Sequence, residues 1–243
     1  MQQRIPSVLD PPIMFAHRGA RAHAQENTID AFRLALRLGA TGLESDVWRT
    51  ADGVLVLDHD GEVRRGRLRK QPISAVRRDE LPEHIPTLTE LIDACGTGYH
   101  LSLDLKDEAA GPAVIELVRS RAPELLDRLW LCHPDVDALV ELRPLDDTVK
   151  LVDSTRLERI GEGPERRAAR LAKEGVDGIN LRQPDWNGGL VTLFHRFGLT
   201  AFSWDLQFDH VLRPAFRMGI DAVYSDHVDR MVDAFQHEIG TGP

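Results

Sequence analysis

Two histidines of the chain stand where chemistry concentrates. His17 closes the apolar run IMFAH and is followed at once by Arg18 and Gly19, while His59 follows the segment GVLVLD and precedes Asp60. Imidazoles ionise near neutral pH, so such a pair can act as base and acid in one displacement. Acids recur close by. In GLESDVW, Leu43 and Val47 share one strand face and Glu44 and Asp46 the other; in LSLDLK, Leu101, Leu103 and Leu105 separate from Ser102, Asp104 and Lys106. If the apolar faces meet helices, three carboxylates converge, and like charges buried together are strongly unfavourable without a positive partner. A hard divalent cation with oxygen ligands, Mg²⁺ or Ca²⁺, supplies that charge, since the chain shows no His/Cys cluster of zinc type. Ion pairing of the acids with Arg18 and Lys106 alone is the alternative. Those two cations also suit an anion site, because a planar guanidinium matches phosphate oxygens.

Such residues need strand ends to hold them. Short β-type runs, namely IMFAH, TGLESDVW, YHLSLDLK, RLWLCH, TVKLVD, GVDGINL, LTAFSW and IDAVYSD, alternate with amphipathic stretches at 29–39, 87–95, 110–120, 135–142, 164–174, 188–197 and 209–218. About eight strands with intervening helices in ~250 residues predict one eight-stranded parallel α/β barrel of TIM type over residues 1–243, with functional groups at the carboxyl ends of the strands. A doubly wound open sheet is the rival, but no GxGxxG follows the first strand. The segment DGVLVLDHDGEV predicts an extra hairpin after the second strand, turning at Asp52-Gly53, and 61–86 reads as the longest irregular connection. Asn27 or Thr28 can cap the first helix, and Gly19 lets the backbone turn away from the first strand.

Composition narrows the class. Thirty Lys and Arg against 39 Asp and Glu give a net charge of −9, which argues against nonspecific nucleic-acid binding through a broad basic face. No stretch approaches the ~20 apolar residues of a membrane span, and MQQRIPSVLDPP lacks a signal-peptide pattern, so the expectation is a cytoplasmic protein without stable membrane insertion. Cys95 and Cys132 read as reduced thiols.

The ordered set HRG, ENT, LESDV, DGVLVLDHD, IPTL, LSLDLK, SW and IDAVYSD, from about residue 13 to 231, resembles the glycerophosphodiester phosphodiesterase family of α/β barrels. The resemblance implies His17 and His59 as catalytic acid and base, Glu44, Asp46 and Asp104 as ligands of a divalent cation, and Arg18, Lys106 and Trp204 as substrate contacts. It implies a small-molecule phosphodiester substrate, hydrolysed to glycerol 3-phosphate and an alcohol. Lysophospholipase D or sphingomyelinase D-like activity, and a noncatalytic phosphate-binding barrel, are its rivals. Asp104 replaces the family's usual Glu, SWDLQ and YSDHVD depart from the family beyond Trp204 and Asp226, and 61–86 is shorter than the usual insertion. His133 in LCHPD is a further candidate contact, and Asn27 is either a helix cap or an orienting residue of the site. Arg64, Arg65, Arg67, Arg69, Lys70, Arg77 and Arg78 crowd one segment of an acidic chain, either as solvated surface or as a basic rim that steers anions.

Overall fold

The computed structural model describes residues 4–65, 69–107 and 109–240. Its strands are β1 (Ile13–His17), β2 (Gly42–Arg49), β3 (Leu55–Leu57), β4 (Glu62–Arg65), β5 (Arg69–Pro72), β6 (His100–Leu105), β7 (Leu129–His133), β8 (Lys150–Ser154), β9 (Gly178–Arg182), β10 (Thr200–Trp204) and β11 (Ala222–Ser225). The helices are α1 (Ile29–Arg37), α2 (Leu88–Cys95), α3 (Ala110–Arg121), α4 (Val136–Val140), α5 (Pro164–Glu174), α6 (Gly188–Arg196), α7 (Asp209–Arg217) and α8 (Val228–Glu238). Parallel pairing runs from β1 through β2, β6, β7, β8, β9, β10 and β11 and returns to β1. The ring is a closed eight-stranded barrel jacketed by helices, as the alternating runs predict.

Period-2 alternation sorts the side chains as expected. Leu43, Val47, Leu101, Leu103 and Leu105 join the large core between strands and helices. The barrel interior is a smaller aromatic cluster that includes Phe15, Trp130, Phe202 and Tyr224. Phe15 stacks on Tyr224 with centroids 4.8 Å apart, within the range of favourable ring pairing. Register then places the chemistry, because β1–β2 pairing sets His17 opposite Glu44, and β2–β6 pairing sets Asp46 opposite Asp104. A slip of one residue would turn each of these groups into the apolar jacket.

The extra hairpin is present: β3 runs antiparallel to β2, and Gly53 N–H donates to Thr50 O at 2.9 Å to close the turn. The segment 61–86 is not irregular, contrary to the sequence reading. β4 and β5 form a hairpin, and Val63, Ile73, Val76, Leu81 and Ile85 gather with Val56 into a satellite core. EVRR and RKQP hide this because most of their side chains are polar, and among the described residues Val63 is the apolar side chain that β4 adds to the satellite core. Within the basic segment, Arg64 and Lys70 are exposed and Lys70 pairs with Glu62 at 2.9 Å; Arg67 lies outside the described residues. Thr28, not Asn27, caps α1, its Oγ1 accepting from Ala31 N–H at 3.2 Å. No described helix is long and apolar enough to cross a membrane.

Candidate active site

The chain leaves β1 through a strained turn. Arg18 has φ +54° and Gly19 φ +79°, and a Cβ on Gly19 would come within 2.8 Å of the Ala31 backbone. Left-handed φ is costly for a residue with a Cβ, so Arg18 must be held there by its surroundings. Its N–H donates to Glu44 at both the main-chain oxygen and Oε2, each at 3.0 Å, and its carbonyl accepts from Asn27 N–H at 3.0 Å. Asn27, itself at φ +54°, accepts from Ser45 Oγ at 2.7 Å on the outer face of β2. The cap reading of Asn27 is therefore corrected, since the residue buttresses the Arg18 turn.

Glu44, Asp46 and Asp104 offer oxygens that all lie within 4.8 Å of one another. Lys106 Nζ is 2.9 Å from Asp46 Oδ1 and 3.3 Å from Asp104 Oδ2, while Arg18 Nε stands 3.5 Å from Asp46 Oδ2. Two fixed cations thus face three carboxylates, and the buried Asp46 Oδ2 accepts no hydrogen bond. Burial pushes the Glu44 carboxyl up to about 8, opposed by His17 and reinforced by Asp46 and Asp104. Burial likewise raises Asp104, against the pull of Lys106. Lys106 is raised too, because Asp104 and Asp46 outweigh its burial. Three convergent oxygen donors, one with an unclaimed buried lone pair, fit a hard divalent cation.

His17 Nδ1 meets Asp226 Oδ1 at 2.6 Å, and Nε2 lies 3.9 Å from Glu44 Oε2. Burial pulls the His17 pKa down, but Glu44 and the Asp226 bond more than offset it, so the net shift is upward. Asp226 is opposed by burial yet held low by the same bond. His59 follows β3 and meets Asp60 at 2.9 Å through Nδ1, with 44% of its side chain exposed. Trp48 Nε1 steadies that loop by donating to Asp58 O at 2.8 Å.

One cavity of about 450 Å³ gathers the eight residues singled out from sequence: His17, Arg18, Glu44, Asp46, His59, Asp104, Lys106 and Trp204. His133 is turned into its own loop, where Nδ1 accepts from Asp135 N–H at 3.1 Å, and does not line the cavity. A larger open groove of about 730 Å³, touching Gln25, Arg33, His84 and Asp93, contains none of the strand-end groups.

Several cavity residues were missed. Asn180 and Ser154 share the inward face of β9 and β8, and Asn180 Nδ2 donates to Ser154 Oγ at 3.3 Å. The alternation rule applied to GINLR would have found Asn180. Asp226 was visible in YSDHVD, but its bond to His17 spans 209 positions and leaves no local trace. The expected absence of a zinc-type group also needs correction. His23, His227 and Asp229 bring ligand atoms within 4.8 Å of one another at the edge of the barrel mouth, with His23 Nε2 at 3.0 Å from Asp229.

Comparison with known proteins matches residues 17–230 to the glycerophosphoryl diester phosphodiesterase family. Glycerophosphodiester phosphodiesterase 1 of Mus musculus is 32% identical over 77% of this chain, which spans 62% of the mouse protein's length. The crystal structure of a glycerophosphodiester phosphodiesterase from Thermotoga maritima superposes with TM-score 0.78 at 26% identity, covering 91% of this chain and 97% of that one. An Oleispira antarctica phosphodiesterase in complex with the product sn-glycerol-3-phosphate shares the fold, with TM-score 0.77 at 23% identity over 93% and 97% of the two chains. With the family match covering nearly the whole barrel, from His17 at the end of β1 into α8, this chain belongs to the glycerophosphoryl diester phosphodiesterase family.

Proposed function

We propose that the chain hydrolyses glycerophosphodiesters to glycerol 3-phosphate and an alcohol, with the help of Mg²⁺ or Ca²⁺. The observation that carries this reading is the meeting of a carboxylate-bound histidine with three carboxylates, one of which keeps a buried oxygen without a hydrogen bond. Glu44, Asp46 and Asp104 would hold the cation, which when bound screens the charge of the transferring phosphoryl group. The names of the mouse and Thermotoga relatives, and the glycerol 3-phosphate bound by the Oleispira protein, agree with this chemistry.

The remaining work falls to the chain's own side chains. Arg18 lines the cavity with its Nε 3.5 Å from Asp46 Oδ2, and its guanidinium would supply charge and hydrogens to a phosphoryl oxygen. Lys106 adds positive charge beside it while neutralising Asp46 and Asp104. Donation of Nδ1–H to Asp226 leaves His17 Nε2 as the nitrogen for proton transfer, and His59 supplies the second such group. One imidazole takes the proton of the attacking hydroxyl, water's or the substrate's neighbouring one, as its oxygen bonds to phosphorus; the P–O bond to the alcohol breaks, and the other imidazole gives a proton to the departing oxygen. A cyclic phosphate formed by the substrate's own hydroxyl is then opened by water to glycerol 3-phosphate. Trp204 forms an apolar wall of the cavity.

The test is a set of glycerophosphodiesters incubated with the protein and Mg²⁺ or Ca²⁺, with released glycerol 3-phosphate measured enzymatically. Release from at least one diester is expected, and no release from any of them with either cation would refute the reading.

A further inference from the structure

The cavity has two electrically different walls. Carboxylates from β2 and β6 line one side, and across the ring the segment after β8 presents Arg156 and Arg159 and the end of β10 presents Trp204. Arg156 Cζ and Arg182 Cζ each stand 5.8 Å from the centre of the Trp204 ring, within cation–π range. Their charges are not equally matched. Arg182 is paired with Asp205 at 3.1 Å, Arg156 reaches only Glu158 at 3.8 Å, and Arg159 has no ion-pair partner among the described residues. Two weakly compensated guanidiniums therefore border the cavity, and the phosphoryl chemistry described above uses neither.

We propose that Arg156 and Arg159, with Trp204 beside them, form a subsite for an anionic group on the alcohol half of the substrate. The proposal rests on the reading of the chain as a glycerophosphodiesterase and names the diesters it favours. The glycerol half carries only hydroxyls beyond the shared phosphate, so a second negative charge can come only from the alcohol. An alcohol bearing a further phosphate or a carboxylate meets the guanidiniums with charge-assisted hydrogen bonds. A quaternary ammonium would need a free aromatic face, whereas the Trp204 ring already holds two guanidiniums. Both arginines are exposed, so the preference is moderate and weakens with salt.

The test uses His17→Ala protein loaded with Mg²⁺, in which turnover is slowed by roughly 10² or more, and binding is followed by calorimetry with glycerol 3-phosphate assayed after each titration to confirm that the diester stays intact. Glycerophosphoinositol 4-phosphate should bind roughly tenfold more tightly than glycerophosphocholine at low salt, and Arg156→Gln with Arg159→Gln should shrink that ratio to about twofold or less. The ratio should survive in Arg156→Lys with Arg159→Lys, which separates charge from disturbance of the loop. Equal affinities, tighter binding of the choline diester, or a ratio untouched by the Gln pair would overturn the subsite. Glycerol 3-phosphate release by the unmutated protein reports separately on hydrolysis. Release without the affinity ratio refutes the subsite alone, and the ratio without release supports the subsite while refuting hydrolysis.

Discussion

His17 Nδ1 sits 2.6 Å from Asp226 Oδ1, joining the end of β1 to the residue that follows β11, its neighbour in the closed ring. The bond fixes which imidazole nitrogen faces the cavity, and Gln207 holds the other partner by accepting from Asp226 N–H at 2.9 Å. The bond holds the His17 ring in one orientation, which the proposed proton transfer would use.

Removing the orienting carboxylate should weaken turnover and shift the imidazole. Asp226→Asn is expected to lower kcat by about 10²-fold or more, since a carboxylate behind a proton-transfer imidazole fixes its tautomer and orientation. The Asp226 bond contributes to the upward shift of His17, so the variant should ionise at lower pH. An NMR titration of the His17 ring in metal-free protein reads this, and an unmoved titration would contradict the orienting role.

The two histidines should behave as one unit. His17→Ala and His59→Ala are each expected to lower kcat by roughly 10² or more, with little further loss in the double variant if both serve one concerted step. Single-turnover kinetics of the four proteins test it; a double loss equal to the product of the single losses would mean independent roles.

Stability of the metal-free protein should fall as pH rises. The raised Glu44 carboxyl binds its proton more tightly in the folded chain than in the unfolded one, so its contribution is full below the ordinary carboxylate range and is lost as pH climbs through about 8. Asp46→Asn removes one of the charges that press on Glu44 and Asp104. At pH 8 without metal it should raise Tm by roughly 2–4 °C, about 1 kcal/mol in a chain of this size. Scanning calorimetry across pH 5 to about 9 follows the titration window of the carboxylates, and a Tm that rises with pH in the metal-free protein would contradict this electrostatic picture.

At Gly19 the turn after β1 leaves no room for a side chain. Gly19→Ala combines φ +79° with a Cβ placed 2.8 Å from the Ala31 backbone, and should destabilise by about 1–3 kcal/mol through strain. Urea unfolding measures the loss, and a value within about 0.5 kcal/mol of the parent, the range of ordinary surface substitutions, would show that the turn relaxes freely.

The legible parts of the molecule were those with short-range signatures. Leu43 and Val47 on one face of GLESDVW, and leucines at alternate positions of LSLDLK, announce strands with an apolar face, and from that alternation the inward direction of Glu44, Asp46 and Asp104 follows. The hairpin of β4 and β5 was not legible, because EVRR and RKQP are mostly polar and Val63 is the one apolar side chain they add to the satellite core among the described residues. Asn27 misled for a different reason: Asn and Thr both suit a helix cap, and only the fold shows that Ser45 has claimed the Asn27 side chain. Arg156, Arg159, and the His23–His227–Asp229 group depend on loops brought together by barrel closure, which no spacing along the chain records.

The central claim is that the Glu44–Asp46–Asp104 cluster holds the cation on which phosphodiester cleavage depends. Its most direct test is glycerol 3-phosphate release by parent and Asp46→Asn proteins during titration with Mg²⁺ or Ca²⁺ after chelation. The account predicts no release in chelator, saturable recovery in the parent as cation is added, and almost none in the variant at any concentration. Full activity in chelator, or a variant that recovers along the parent's curve, would contradict it.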